Sequence, residues 1–292
     1  MGICDQRTVI ITGAGGGLGR AYALAFAAEG ARVVVNDIRL DAAEAVAAEV
    51  RATGGQAIAN AGDITSLAGA HAIVDAAVAA FGEVHVLVNN AGILRDRMFL
   101  SLSEEDWDAV MRVHLKGHFC LAHVLGRRWR DAAKAGRQVD APRIINTSSG
   151  AGLQGSIGQS NYAAAKAGIA GLTLVQAAEL ARYGITVNCL APAARTAMTE
   201  SAMPDRVKKP ENGFDAWDPL NVASIVVWLG SPLSRHVTGR CFEAMGGQLS
   251  VAEGWHTGPI RDKGARWEPA ELAPIVDRLI HDTRAPQKVY GT

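Results

Sequence analysis

The stretch Thr8-Val9-Ile10-Ile11-Thr12-Gly13-Ala14-Gly15-Gly16-Gly17-Leu18-Gly19 decides the fold. Its first five residues are a short β-branched run, which reads as a buried strand. A glycine-rich loop follows, then a helix-like stretch from Arg20 to Glu29. Strand, glycine loop and helix in that order form a phosphate-binding context. Glycines let the backbone approach a pyrophosphate, and a helix N-terminus favours its negative charge. Turns also use glycine, so the context carries the reading and the cluster alone does not.

Working outward, Gly30 to Asp37 is the second strand and Asp41 to Thr53 a helix ended by Gly54-Gly55. Gln56 to Ala61, Val84 to Val88, Arg143 to Thr147 and Gly184 to Leu190 are further strands, with helical patterns between them. Alternation of this kind implies a doubly wound parallel sheet in an α/β fold. Ligands on such sheets bind outside the carboxyl ends of the strands. The glycine loop, Asp37, Asp63, Asn89 to Gly92, Ser149 and Pro192 all fall at such ends. Asp37 suits the adenosine ribose hydroxyls and repels a 2′-phosphate, which favours NAD over NADP. Arg39 opposes that preference, and a helix-capping role for Asp37 stays open. Asp63 is placed to meet the adenine amine, or to cap the next helix, and Ile64 to pack on the adenine ring.

Tyr162 and Lys166 stand four apart in an alanine-rich run, Tyr162-Ala163-Ala164-Ala165-Lys166-Ala167. Alanine favours helix, and i, i+4 side chains share a face. A phenol titrates near ~10, and a neighbouring cation lowers that value. The pair therefore suits proton exchange with a substrate oxygen, and Ser149 offers a hydroxyl to the same oxygen. An ordinary amphipathic helix with a surface lysine is the plainer alternative. His114 and His118 are also four apart, but no His-Glu-x-x-His pattern accompanies them, and no metal is expected.

The chain has 292 residues, 49% of them hydrophobic, with 29 basic and 29 acidic side chains. That balance argues against nucleic acid or an anionic membrane as the main partner. Cys4, Cys120, Cys189 and Cys241 are scattered, with no Cys-x-x-Cys pair. They read as reduced thiols, and a soluble cytoplasmic protein is expected. Neither a signal peptide nor a membrane span is expected.

Taken as an ordered set, several motifs resemble the short-chain dehydrogenase/reductase family. They are Thr12 to Gly19, Asn89-Asn90-Ala91-Gly92, Ser149, Tyr162 with Lys166, and Val187-Asn188 with Pro192. The resemblance covers roughly residues 5 to 250. It implies a Rossmann-type domain with seven parallel strands and hydride transfer between a nicotinamide and an alcohol or ketone. By resemblance, Tyr162 is the acid/base, Lys166 holds the nicotinamide ribose and lowers the tyrosine pKa, and Ser149 positions the substrate oxygen. The dinucleotide is assigned to Gly13, Gly16, Gly17, Leu18, Gly19, Asp37, Asp63, Ile64, Asn90, Ala91, Gly92, Pro192, Ala194 and Thr196, along with Tyr162 and Lys166. Gly92 to Arg97, Trp107 to Gly117, Met198-Thr199, Met203-Pro204 and Val226 to Leu229 look like a narrower group. That group comprises the (3R)-hydroxyacyl-CoA dehydrogenase regions of peroxisomal multifunctional enzymes (17β-hydroxysteroid dehydrogenase type 4) and single-domain bacterial relatives.

Two departures stand out. His114 occupies a position where many members have an asparagine that supports a proton-relay water; core packing is the other reading. Thr196 comes one position early in the Pro192-Ala193-Ala194-Arg195-Thr196 segment, which puts its nicotinamide contact in question. The expected function is NAD-dependent oxidation of a 3-hydroxyacyl-CoA or a hydroxysteroid. The alternatives are an NADPH-dependent 3-oxoacyl reductase and a catalytically silent nucleotide-binding scaffold. Residues 1 to 255 are expected to form the dehydrogenase domain, with a substrate lid at 193 to 218 bearing Arg206, Lys208 and Lys209. Residues 256 to 292 form an extension with an apolar helical stripe. They are expected to cover the cleft or cross a subunit interface in a homodimer or homotetramer.

Overall fold

The computed structural model describes residues 2–292. Its sheet has strands β1 (Thr8–Thr12), β2 (Arg32–Asn36), β3 (Gln56–Asn60), β4 (Val86–Asn89), β5 (Arg143–Thr147), β6 (Thr186–Pro192), β7 (Cys241–Met245) and β8 (Gln248–Ala252). They lie in the order β3-β2-β1-β4-β5-β6-β7-β8. Seven strands are parallel, as expected, but the sheet has an eighth. β8 pairs antiparallel with β7 after a tight turn at Gly246 and Gly247. Gly246 has φ +54 and packs on Ala216, so a side chain there meets both backbone strain and a neighbour.

Strand alternation divides the core between two faces. Val9, Ile11, Val33, Val35, Val86, Val88 and Ile145 point to one face, where they meet α1 (Gly17–Ala28), α2 (Leu40–Ala52) and α9 (Pro219–Gly230). Ile10, Val34, Leu87 and Ile144 point to the other, against α3 (Leu67–Phe81) and α5 (Gly117–Lys134). Side chains two apart share a face of a strand, so a strand covered on both sides is apolar throughout. This is why the strands read as continuous hydrophobic runs.

The long helical pattern from Ser103 past Trp129 is not one regular helix. Ser103 caps α4 (Glu104–Met111), its hydroxyl accepting from the Asp106 N–H at 3.1 Å. A π-helical turn, Arg112–Lys116, then leads into α5. Short helix α6 (Gly150–Gln154) follows β5 and precedes α7 (Ser160–Leu180); α8 (Ala197–Ala202) follows β6. Beyond β8 lies α10 (Leu272–Asp282), which buries none of its residues.

The chain leaves β1 toward β2 on one side, and β4 lies on the other. This reversal opens a crevice at the carboxyl ends of β1 and β4, where ligands bind on such sheets.

Candidate active site

The crevice is closely built. Gly13, at φ +60, ends β1 so near the β4 loop that a Cβ on it would lie 2.7 Å from Ala91 Cα. The Thr12 hydroxyl accepts from the N–H groups of Asn90 and Ala91 at 3.0 and 3.1 Å. The Asn90 amide donates to the carbonyls of Thr12 and Gly13. Asn90 therefore braces the glycine loop with its side chain. Gly19 is equally crowded, since a methyl there would meet Gly13 O at 2.4 Å. Gly16 is different: its backbone is extended and nothing lies within 4 Å of a built Cβ. Gly17 faces the Thr196 methyl at 3.3 Å. Helix α1, which carries Leu18 in its first turn, has no side-chain cap over its first N–H groups. Free amides beside an open glycine fit a pyrophosphate.

Asp37 follows β2 and lies against the glycine loop. Its Oδ2 accepts from the Gly15 N–H and its Oδ1 from the Arg39 N–H, both at 3.0 Å. It does not cap α2, whose N-cap is Arg39. Asp63 is not a helix cap either, because Ser66 caps α3. The Asp63 carboxylate accepts from the Thr65 amide and hydroxyl. Ile64 is buried, with Gly117 packed against its Cδ1. Its side chain packs into the core beside α5. Ala194 is likewise buried, and its carbonyl accepts from the Thr199 hydroxyl at 2.9 Å. Thr196 exchanges hydrogen bonds with Thr199 in a capping box that starts α8. Its position beside Gly17 fits the dinucleotide side of the crevice, but its hydroxyl is engaged. Pro192 ends β6, paired with Ala244.

Ser149, Tyr162 and Lys166 lie close to the end of β5. Ser149 is the N-cap of α6, its hydroxyl accepting from the Ala151 N–H at 3.2 Å. Ser148 next to it is spent on structure, its hydroxyl donating to Lys166 O. Lys166 is buried and its Nζ donates to Thr147 O at 2.6 Å, which sets it 5.5 Å from the Tyr162 ring centroid. Gly152 lets α6 approach α7, since a Cβ there would meet Lys166 Cβ at 2.6 Å. Burial lowers the Lys166 pKa from 10.5 to about 7. Burial also raises the Tyr162 pKa, with Ser149 pulling it back. This corrects the expectation of a phenol lowered by its neighbour. In the protein alone desolvation dominates, and Lys166 meets the ring face as a cation–π contact.

His114 sits in the π-helical turn. Its Nε2 meets the Ile93 N–H at 3.0 Å and the Ile93 carbonyl at 2.8 Å, and its ring meets that of Tyr162 edge-on at 5.2 Å. Burial, then the charge of Lys166, lowers its pKa to about 3. Its role here is that of a neutral brace for the loop after β4. His118 is also buried, and its Nε2 accepts from the Thr147 N–H at 3.2 Å. It holds from below the residue whose carbonyl holds Lys166. Asn161 donates to the carbonyls of Arg95 and Asp106, pinning the start of α7. Sequence reading assigned neither His118 nor Asn161 a role here. The His114-His118 spacing was visible, but it was weighed only as metal ligation, which was set aside. Among the described residues no three His, Cys, Asp or Glu side chains gather as a metal site.

The lid segment is tied down. Arg195 pairs with Asp215 and donates to Val207 O at 3.1 Å, and Val207 is fully buried. Arg206, Lys208 and Lys209 are exposed beside it.

A family model described as short chain dehydrogenase matches residues 7–207. The chain belongs to the short-chain dehydrogenase family. A crystal structure of a short chain dehydrogenase from Mycobacterium avium is 55% identical, covers 100% of both chains and superposes with a TM-score of 0.91. Hydroxyacyl-CoA dehydrogenase ChsB1 of Mycobacterium tuberculosis is 44% identical over 91% of this chain and 86% of its own. Peroxisomal multifunctional enzyme type 2 of Mus musculus is 43% identical over 86% of this chain but only 32% of its own. The chain thus spans about a third of that larger enzyme. It is an oxidoreductase of the short-chain dehydrogenase type, and its family implies a nicotinamide nucleotide.

Buried Lys166 yields a stability test. The folded protein holds the lysine proton less tightly than the unfolded chain does. Between about pH 7 and 10.5 the unfolded state therefore binds more protons, and this group makes the fold more stable as pH rises. Lys166→Met should remove that part of the slope, and urea unfolding of both proteins across this range measures the difference.

Proposed function

We propose that the protein oxidises 3-hydroxyacyl-CoA thioesters, or reduces the matching ketones, with NAD(H). The observation that carries this reading is the convergence of Ser149, Tyr162 and Lys166 at the end of β5, beside a crevice built for a dinucleotide. The hydroxyacyl-CoA part rests on the printed name of the Mycobacterium tuberculosis relative. Bound in the crevice, the nicotinamide supplies hydride acceptance and donation. Tyr162 takes the proton of the substrate hydroxyl during oxidation and returns it during reduction. Ser149 donates to the same oxygen and fixes its distance from the phenol. Lys166, anchored on Thr147 O, offers its remaining N–H groups to the ribose side. A phenol kept protonated by burial is ready to act as an acid. Ketone reduction is thus favoured as pH falls, and alcohol oxidation as pH rises.

Preference for NAD is supported by Asp37, whose carboxylate is held by the Gly15 and Arg39 amides at the ribose end. The Arg39 guanidinium stands 3.8 Å from that carboxylate and is mostly exposed. A cytoplasmic setting is supported by the four free cysteines. Cys189 and Cys241 stand opposite each other on β6 and β7 without a bond between them. No helix among the described residues is long and apolar enough to cross a membrane. Assembly of two or four copies is supported by the outer faces of α5 and α7. There Leu174 and Val175 are exposed on α7, and exposed Phe119 lines a shallow cavity of about 610 Å³ together with Met111, Leu115 and Leu172.

Tyr162→Phe should lower turnover by at least about 10²-fold while NADH binding, read by fluorescence, persists. Wild-type kcat/KM should favour NAD over NADP by about tenfold or more, and Asp37→Ser should erase that ratio, because a carboxylate no longer faces the 2′-phosphate. Light scattering should give a dimeric or tetrameric mass; a monomer would remove the assembly reading.

A further inference from the structure

The last residues of the chain return to the site. The Tyr290 N–H donates to Gly155 O at 3.2 Å, and its carbonyl accepts from the Ile157 N–H at 3.0 Å. These bonds form a parallel bridge to Ser156. The same loop is held from its far side. There the Arg97 N–H donates to Gly158 O at 2.9 Å and the Gln159 amide donates to Asp96 Oδ2 at 2.8 Å. Residues 155 to 159 join the Ser149 helix to the Tyr162 helix. The segment between the two proton-handling hydroxyls is therefore clamped by residues from distant parts of the chain.

Glycines mark the contacts. Gly150 follows Ser149 directly, and a Cβ on it would lie 2.5 Å from Tyr290 Oη and 2.9 Å from Cε2. Gly155, at φ +84, faces Val289 at 3.4 Å, and Gly291, at φ +94, faces Ile157 at 3.3 Å. The Tyr290 ring thus rests on bare backbone next to Ser149. It is 49% exposed, so one part seats on Gly150 and the rest looks outward. The stretch leading to it is anchored elsewhere only lightly: α10 buries no residue, and Trp255 is fully exposed. An otherwise loosely packed extension thus makes its closest fit beside the site. A side chain with an apolar body and a polar tip suits such a boundary between cleft and water.

We propose that Tyr290 is a specificity-determining residue and that residues 286–292 form the outer wall of the substrate cleft. The inference rests on the hydride-transfer reading given above. On this reading the ring, lying on Gly150, limits the width of the approach to Ser149. A narrowed approach favours a slender, unbranched acyl chain over a broad fused-ring alcohol. Gly150 and Tyr290 act as one unit, because a residue larger than glycine at 150 displaces the ring.

The test compares wild type, Tyr290→Ala, Tyr290→Phe and a protein ending at Gln287. Each is assayed with a straight-chain 3-hydroxyacyl-CoA and a steroid secondary alcohol. Tyr290→Ala and the truncation should raise KM for the acyl chain about tenfold, with the loss in KM rather than kcat, and should shift preference toward the steroid. Tyr290→Phe keeps the ring and should restore the wild-type preference. The truncation should also speed hydrogen exchange of the Ile157 amide about tenfold, showing that the wall is seated in solution. Calorimetric binding of the same acyl-CoA needs no turnover. If wild type turns over no alcohol yet binds the thioester more tightly than Tyr290→Ala does, the reaction is wrong and the wall stands. An unchanged acyl-to-steroid ratio in both the alanine variant and the truncation, or equal thioester affinity throughout, overturns it.

Discussion

The site depends on one hydrogen bond, from the buried Lys166 ammonium to the Thr147 carbonyl. A lysine placed deep in a protein loses solvation, and it stays only where a fixed acceptor meets it. Thr147 is that acceptor because its amide is also held, by His118 from α5. The next residues, Ser148 and Ser149, then divide their work. Ser148 ties back to the carbonyl of Lys166, and Ser149 starts a helix with its hydroxyl at the surface of the crevice. A short span at the end of one strand thus fixes the height of the lysine, the seat of α7 and the direction of the serine.

The dinucleotide side shows a related economy. Thr12 and Asn90 lock the ends of β1 and β4 together, so the glycine loop is rigid where Gly13 and Gly19 are crowded and open where Gly16 is bare. The helix dipole and free amides at α1 are presented by a loop that has little freedom to move away. Preorganisation of this kind lowers the ordering cost of binding a charged ligand.

Much of this was legible in the sequence, because the informative residues sit at strand ends and strand ends are easy to find. Thr8 to Thr12 and Arg143 to Thr147 were read with their observed boundaries, and the resulting topology placed Asp37, Asn90 and Ser149 at one edge. What was not legible came from side chains whose partners are distant. Nothing near Ile64 or Ala194 announces that each turns inward, since a small apolar residue at a strand end reads the same either way. His118 was visible only as a spacing, and spacing cannot tell a ligand from a brace. The Tyr162 pKa went the other way because charge proximity shows in sequence and the depth of burial does not. β8 was missed since its alternation, Leu249 and Val251 among polar neighbours, is short and both side chains stay exposed.

The π-helical turn at Arg112–Lys116 carries its own consequence. Such a turn holds one residue more than the regular winding needs, and here the surplus swings the imidazole of His114 round to reach both the β4 loop and the edge of the Tyr162 ring. Losing one residue from these five would restore regular winding and withdraw His114 from both contacts. The geometry beside Tyr162 therefore depends on the length of this segment as well as on the side chain it carries.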